Sequence, residues 1–463
     1  MTRIRMTRIG RNMQRLSSIL LSLTAAASLG LLNTPATAAD SLNVPAGYKL
    51  VGTLDPSALP ASPPPETAIS EIKESTQNCR KTPADSKQRS SGVYEVCTKI
   101  TGGIPKNLSP ALKRQAAKNL ARFHVKSAKS VESSADATCT TTPGTRKVDR
   151  GSFCEKGLTI EGTTLDVKGI PIGESLWTVD LSYALSTTST TWNETISVQL
   201  TAVVGTNPIL AAQLAQFNAT CAPTACSVGG DWATPQLVGL GETVTKDLKF
   251  SMPVTAGDEH VGTPSMSMLA WPVAGLPLAP AEWKEPNQVR CDAAVGNSQG
   301  CVHPDFKAEV VFPVSKYGAA AATYDFAQKR LIDAWGTAAS PLRRLADDEQ
   351  SKNNRTATCE DNTFIPVPDE TVSEDSCDEY PFARTEQGGT AGLLCAEVVP
   401  QLQANGTYGY FARAGRPNPT GNEKCIRGHV PFPQNRAAGA ALGTFASTSR
   451  IMDGEAYLVA VVA

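Results

Sequence analysis

Four polar side chains near the C-terminus are of the types that hold a metal ion and activate water. Asp378 and Glu379 are adjacent, Glu386 follows shortly after, and Asn435 opens a run of small residues. Carboxylate and amide oxygens are the ligands that hard divalent cations such as Mg²⁺ and Mn²⁺ prefer. Such a cation can stabilise the charge that develops on a phosphate under attack, while a carboxylate takes a proton from water. Acidic clusters alone, however, are more often solvated surface.

The elements that must position these residues can be predicted in outline. Asp378 and Glu379 precede Pro381 in extended chain, and adjacent side chains of a strand point to opposite faces. Both acids can serve one site only if the backbone bends; otherwise one acts while the other packs or pairs with an arginine. The small residues of 436–447 predict a helix packed closely on a strand, and 458–462 predict a buried terminal strand.

The same region resembles a known family. Three separated elements occur in that family's order: Asp378-Glu379-Tyr380-Pro381-Phe382-Ala383 with Glu386 and Gly388-Gly389; Asn435-Arg436 with Gly439 and Gly443; and the Asp453-Gly454 turn before the last strand. Together they resemble the NucA/NucB family of secreted bacterial deoxyribonucleases over about residues 355–463. Two departures are Tyr380, where small bacillary members have Trp, and Thr444-Phe445, where an acidic or polar partner is expected.

The resemblance implies a small α+β domain of the ββα-metal nuclease type that cleaves DNA without sequence specificity, using Mg²⁺ or Mn²⁺. At the matching positions, Asp378 would be the general base beside the metal, and Asn435 would be a metal ligand. Glu379 and Glu386 would orient or assist catalysis. Arg436 would contact a substrate phosphate, because a guanidinium offers bidentate contacts.

His429 and the charge balance add two expectations about DNA. His429 precedes Asn435 by six residues, so it could be a base or a phosphate contact; a surface histidine is the commoner alternative. Residues 355–463 carry 13 acidic and eight basic side chains. Because this excess of negative charge repels phosphates, we expect DNA binding to need a cation.

The N-terminal region is predicted to be mainly β and sandwich-like. Residues 131–318 are rich in Thr, Val and Gly, and apolar and polar residues alternate over 158–167, 175–186 and 194–204. Several short strands with turn residues between them are typical of an antiparallel sandwich. Five tryptophans fall here, and core packing is the commoner role for them than a sugar-binding platform.

The remaining segments are predicted to connect and flank these regions. Residues 39–75 read as a Pro-rich linker, and 76–130 as a helical, disulfide-bearing segment with a basic helix over 107–125. That helix is either a nucleic-acid arm or a solvated face. Residues 319–354 are predicted to hold a helix over 319–336 and then a polar linker over 347–355, which would separate the β-rich region from 355–463.

Twelve cysteines indicate a disulfide framework in an oxidising compartment. They are Cys79, Cys97, Cys139, Cys154, Cys221, Cys226, Cys291, Cys301, Cys359, Cys377, Cys395 and Cys425. Pairing of sequence neighbours is a hypothesis, because spacing alone does not determine connectivity. Zinc–thiolate sites are disfavoured, because no CxxC pair occurs and the chain has only four histidines.

Residues 1–38 are predicted to be a secretory signal peptide. Five arginines precede an apolar run, and Ala36-Thr37-Ala38 is a small-x-small cleavage site. Removal of this segment leaves 38 basic and 44 acidic residues, so contact with DNA needs a local basic patch or a bound cation. No later stretch is apolar enough to span a bilayer, which predicts an extracellular or wall-associated protein.

The sequence therefore predicts a secreted, metal-dependent DNA endonuclease whose β-rich N-terminal region binds or positions it, with a partner that the sequence does not identify. The alternative is a secreted binding or structural protein that keeps a nuclease-like fold without the chemistry. The acidic balance, Phe445 and the size of the β-rich region favour that alternative. A third hypothesis, a toxin whose toxic domain is the nuclease, ranks below both, because the sequence shows no delivery motif.

Overall fold

The computed structural model of the chain describes residues 42–63, 66–131, 140–205, 212–224, 226–272 and 278–463. The predicted signal peptide, 1–38, lies outside the described residues. The described residues from 43 onward form one compact unit. Within the described ranges, no helix is both long and apolar enough to cross a membrane.

The strands and helices are numbered in chain order. The strands are β1 Tyr48–Leu54, β2 Thr67–Glu71, β3 Asn78–Lys81, β4 Glu95–Gly102, β5 Thr145–Asp149, β6 Ser152–Leu165, β7 Pro171–Ala184, β8 Thr191–Gly205, β9 Ala212–Pro223, β10 Ser227–Gly230, β11 Gln236–Gly239, β12 Thr243–Ser251, β13 Glu259–Pro272, β14 Ala281–Lys284, β15 Val289–Asp292, β16 Gly300–Val302, β17 Ala308–Pro313, β18 Leu342–Arg343, β19 Asp375–Tyr380, β20 Ala396–Leu402, β21 Tyr408–Arg413, β22 Ile426–Pro431 and β23 Ala456–Val462. The α-helices are α1 Lys87–Ser90, α2 Pro110–Val131, α3 Val314–Arg330, α4 Asp348–Cys359 and α5 Phe432–Thr448, and short 3₁₀ turns cover Pro56–Ala58, Asp231–Ala233 and Gly392–Leu394.

The prediction of a mainly β N-terminal region is confirmed. A nine-stranded sheet runs β10-β12-β8-β7-β6-β4-β3, with β5 on β6 and β2 on β5; a six-stranded sheet runs β11-β9-β13-β15-β16, with β14 on β13. Side chains from both sheets, among them Trp177, Phe217 and Trp232, share one apolar core. Because Trp177 and Trp232 are fully buried, these two of the five tryptophans pack the core and are not a surface platform for sugar.

Helix α2 covers the outer face of the larger sheet. Leu112 and Ala116 pack with Leu176 of β7 and Ala202 of β8. Lys113 and Lys118, on the other side of the helix, are exposed. Lys113 and Lys118 thus lie on a solvated face, as amphipathic spacing predicts for a helix docked on a sheet.

The C-terminal region is α+β. A five-stranded sheet runs β1-β21-β20-β22-β19, and a smaller one runs β17-β23-β18. Helix α3, with its buried alanines 319–322, shares a core with strands of both sheets. The terminal strand β23 pairs parallel with β17 and antiparallel with β18.

The structure differs from the predicted segment boundaries at several places, three of which concern the C-terminal region. Strand β1 lies within the predicted 39–75 linker and pairs antiparallel with β21 of the C-terminal sheet. Strand β17 lies within the predicted 131–318 β-rich domain but pairs with β23. The polar run predicted as a linker is helix α4, which Asp347 caps by accepting a hydrogen bond from the Gln350 backbone. A polar surface helix carries little apolar periodicity, so composition alone suggested a loop.

Five disulfides join sequence neighbours. They are Cys79–Cys97, Cys221–Cys226, Cys291–Cys301, Cys359–Cys377 and Cys395–Cys425. Cys154 is also disulfide-bonded, and Cys139, its predicted partner, lies outside the described residues. One of these bonds lies beside the predicted site, where Cys359–Cys377 ties α4 to β19.

Candidate active site

A cavity of about 680 Å³ opens between α5, β19 and the segments around residues 344, 355 and 384. It brings together residues far apart in sequence. They are Tyr324, Arg344, Arg355, Ser376, Cys377, Asp378, Glu379, Phe382, Ala383, Arg384, Phe432, Asn435, Arg436, Ala438, Gly439, Leu442, Gly443, Phe445, Ala446, Ser447, Ile451 and Tyr457.

Asp378 reaches the cavity from β19. It stands opposite Gly428 of β22, and a Cβ at that glycine would overlap Thr323 of α3. Helix α3 can therefore approach the sheet closely enough for the Tyr324 hydroxyl to donate to Asp378 Oδ2 at 2.9 Å. The glycine thus permits the contact that orients the carboxylate.

Burial makes the Asp378 carboxyl a weak acid. The residue is 5% exposed, and burial, assisted by the charge of Glu379, raises its pKa to about 8. A group with a pKa near neutrality can both accept and release a proton under ordinary conditions, which is what general base catalysis needs. A cation bound beside the carboxylate would lower this pKa again.

Glu379 also borders the cavity but is engaged differently. Its Oε1 lies 3.8 Å from the Arg355 Nε, and the Arg355 side chain is 60% exposed. Burial raises the pKa of Glu379, and Arg355 opposes that shift. The two adjacent acids therefore have different partners. Asp378 accepts a hydrogen bond from a tyrosine, and Glu379 pairs with an arginine.

Asn435 lies in the first turn of α5, directly beside β19. Its Nδ2 donates to the Cys377 carbonyl at 2.8 Å and to Ser376 Oγ at 3.1 Å. Both hydrogen bonds use the amide nitrogen, so the amide oxygen remains available to coordinate a cation.

Asp378, Glu379 and Asn435 line the cavity together, and their carboxylate and amide oxygens are of the type that a hard cation binds. Among the described residues, the single group of three cysteine or acidic ligand atoms within 4.8 Å of one another is Cys79, Glu95 and Cys97. Those two sulfurs form a disulfide, so they are not thiolate ligands. A hard cation at the cavity would take its remaining ligands from water and substrate, as Mg²⁺ commonly does.

Glu386 is not brought to the cavity. It is exposed, and its backbone N–H donates to the Arg343 carbonyl at 3.0 Å. The chain turns sharply after Phe382, where Thr385 Oγ1 and Thr385 N both bond the Phe382 carbonyl. This turn carries Glu386 outside the cavity lining.

His429 is also not brought to the cavity and is not on the surface. It stands opposite Cys377 in the β19–β22 ladder, one position from the Asp378 pair. Its side chain is fully buried, with Nδ1 2.7 Å from Asp375 Oδ2 and the ring stacked on Phe364. Burial lowers the pKa of His429, but Asp375 and Glu397 together raise it above the usual value. His429 is therefore not the surface histidine of the sequence analysis. It also does not line the cavity, where a base or a phosphate contact would be expected.

Three arginines of the cavity were missed by sequence reasoning. Arg344, Arg355 and Arg384 face it together with Arg436, which was predicted. The Arg436 guanidinium carbon lies 5.9 Å from the centroid of the exposed Phe432 ring. The three come from separate segments, and nothing in their local sequence indicates that they converge. At the cavity, their positive charge offsets the excess of acidic residues in 355–463.

Helix α5 exposes two glycines to the same cavity. A Cβ added at Gly439 or Gly443 would meet no atom within 4 Å, so neither glycine is needed for packing within the described residues. A glycine inside a helix costs about 1 kcal/mol relative to alanine. The helix therefore forgoes stability on the face that lines the cavity.

Comparison with known proteins agrees with the cavity's position. Residues 333–460 match the family model for Deoxyribonuclease NucA/NucB. No curated protein and no solved structure matches the chain significantly. The matched range contains every cavity residue named above except Tyr324 of α3. The C-terminal part of the chain, residues 333–460, is a domain of the NucA/NucB deoxyribonuclease family.

Proposed function

We propose that the protein is a secreted endonuclease that hydrolyses phosphodiester bonds of DNA, without sequence specificity and with a divalent cation. The observation that carries this proposal is the meeting of Asp378, Asn435 and four arginines in one cavity of a NucA/NucB domain. Secretion rests on the predicted signal peptide and is supported by the disulfides, which persist in oxidising compartments.

The contacts support the following roles. Asp378, held by Tyr324, accepts a proton from the attacking water. Asn435, anchored through its nitrogen, offers its amide oxygen to Mg²⁺ or Mn²⁺ together with Asp378. The bound cation supplies charge stabilisation on the phosphate under attack. Tyr324 thereby becomes a positioning residue for the general base.

The arginines account for substrate binding. Arg344, Arg355, Arg384 and Arg436 border the cavity, and guanidinium groups bind phosphate oxygens bidentately. Contacts to phosphates carry no base information, so a site built from them favours cleavage without sequence specificity. In the ββα-metal assignment, β19, β22 and α5 are the antiparallel pair and the helix, with β20 and β21 inserted between the two strands in sequence.

The test is digestion of supercoiled plasmid by the purified mature protein. We expect nicking and then smearing with Mg²⁺ or Mn²⁺, and none with EDTA, since the cation offsets the phosphate charge. Sequenced cut sites should show no common motif. Absence of cleavage with every divalent cation tried would instead support the alternative, a secreted binding or structural protein with a nuclease-like fold.

Replacing Gly443 by alanine is expected to stabilise the protein by about 1 kcal/mol and yet weaken DNA cleavage. The added methyl group meets no protein atom within 4 Å, but it projects into the cavity where we place the DNA backbone. Denaturant unfolding and plasmid cleavage measure the two effects.

The reverse change on the same helix is the control. Ala440 is exposed and is not part of the cavity lining. Ala440→Gly should lose about the same stability with cleavage unchanged. Cleavage by Gly443→Ala equal to that of the wild type would place the substrate away from α5.

A further inference from the structure

The segment 449–455 joins α5 to β23. Ion pairs between buried or half-buried side chains hold it against the β-sandwich. Arg450 is fully buried and donates from Nε to Asp292 Oδ2 at 3.0 Å. Its Nη1 also donates to the carbonyls of Thr187 and Ser298, at 2.9 and 3.0 Å. All these partners belong to the sandwich, so the C-terminal domain inserts one arginine into it.

A second group of contacts runs the opposite way. Glu455 Oε1 accepts from Arg150 Nη2 at 2.7 Å, and Glu455 Oε2 accepts from Arg290 Nη1 at 2.8 Å. Arg150 also donates to the Ser449 and Arg450 carbonyls, at 3.0 to 3.1 Å. Two sandwich arginines thus hold one glutamate and the backbone before it, and charge-assisted bonds of this kind are the stronger ones.

The same segment holds one wall of the cavity. Arg344 N donates to the Glu455 carbonyl at 3.0 Å, and Gly454 N donates to the Arg344 carbonyl at 2.8 Å. The Arg344 guanidinium donates to the Ile451 carbonyl. Next along the chain, Leu345 N donates to the Arg384 carbonyl at 3.0 Å. Two of the cavity's arginines therefore depend for their position on the segment that the sandwich grips.

We propose that the β-sandwich positions the phosphate-binding arginines of the nuclease site, by fixing segment 449–455 through Arg150, Arg290 and Glu455. This inference rests on the proposed function, because it assigns Arg344 to substrate phosphate. It gives the N-terminal region a positioning role at the site. Arg150, Arg290 and Glu455 act through Arg344 and are positioning residues.

The distinguishing variant is Glu455→Gln, which keeps the side-chain shape and removes the charge that Arg150 and Arg290 hold. We expect it to raise KM for DNA about tenfold with kcat little changed, as for loss of one charge-assisted contact. The slope of log KM against log salt should fall by about one, because one phosphate contact is lost. Arg344→Ala should show the same changes, and the double variant should add nothing further.

The control is a buried ion pair of similar exposure that does not touch the segment. Arg146 and Glu155 pair at 2.8 Å inside the sandwich, with side chains 12% and 1% exposed, against 6% and 13% for Arg290 and Glu455. Arg146→Gln should lower the melting temperature and leave KM and the salt slope as in the wild type. All variants are measured in the full mature chain, well below their melting temperatures.

Two outcomes overturn the inference and leave the proposed function in place. A Glu455→Gln protein that melts earlier but keeps the wild-type KM and salt slope shows that the contacts only stabilise the fold. Additive effects in the double variant show that Glu455 does not act through Arg344. A wild type that neither cleaves nor binds a fluorescent DNA duplex with Mg²⁺ removes the proposed function, and this inference with it.

Discussion

Asp378→Asn is expected to lower DNA cleavage about 10²- to 10⁴-fold, the range for loss of a general base. The amide keeps the size of the carboxylate and can still accept the Tyr324 hydrogen bond, but it cannot take a proton from water. Initial rates on plasmid or a fluorescent duplex, at saturating Mg²⁺, measure the loss.

The same variant should be more stable than the wild type near neutral pH when divalent cations are chelated. In the folded protein the Asp378 pKa is about 8, against 3.8 for the ordinary group, so its favourable protonated state is present at low pH. Its contribution to stability is lost as pH rises from 3.8 through about 8. Because asparagine has no such loss, we expect a gain of a few kcal/mol, measured by denaturant unfolding across this pH range.

Glu386→Gln is the matched control, since it removes another carboxylate from the same segment. Glu386 is exposed and lies outside the cavity lining, so cleavage should stay close to that of the wild type. Full activity of Asp378→Asn would assign the base elsewhere. Equal losses in both variants would show that Glu386 also contributes to cleavage, although it lies outside the cavity lining.

Arg450→Met is expected to destabilise the protein by about 3–5 kcal/mol, the usual cost of breaking a buried ion pair from one side. Asp292 has no exposed surface and would lose its closer ion-pair partner, which leaves Arg290, with Nε 3.6 Å from Asp292 Oδ2, beside it. The Thr187 and Ser298 carbonyls would also lose their shared donor. The midpoint of urea unfolding, with an unchanged slope, measures the effect.

Two further variants test this explanation. Replacing Asp292 by leucine in the Arg450→Met background should recover part of the stability, because the buried carboxylate that has lost its closer partner is then gone. Lys329→Met removes the partner of buried Asp325, but Lys329 is 60% exposed, so we expect a change within about 1 kcal/mol. If Arg450→Met changed stability no more than Lys329→Met does, the buried pair would not hold the two regions together.

Much of the site was predictable because its chemistry is encoded locally. The Asp378-Glu379 pair, Asn435 and Arg436 all border the cavity, and each lies within a short motif. The neighbour pairing of cysteines agrees with the five disulfides described, because adjacent strands and turns bring such residues together. The alternation of apolar residues likewise predicted the β-rich region.

The misplaced residues were those whose surroundings are distant in sequence. His429 was predicted to be a base, a phosphate contact or a surface histidine, but Asp375 and Phe364 enclose it in the fold. Glu386 belongs to the same motif as Asp378, yet a turn directs it away from the cavity. Strand β1 was hidden beside a proline run, and its pairing with β21 joins residues more than 300 positions apart.

The sequence by itself determined the types of group available, the family resemblance of the C-terminal region and the β-rich character of the region before it. These properties depend on residue identity and on short periodicities. Only the tertiary structure decided that Asp378 and Glu379 border the cavity while Glu386 does not, which arginines join them, and that the sandwich holds segment 449–455. The physical reason is that a strand's alternation separates two faces but does not determine what covers each one, and burial and charge pairing depend on packing between distant segments.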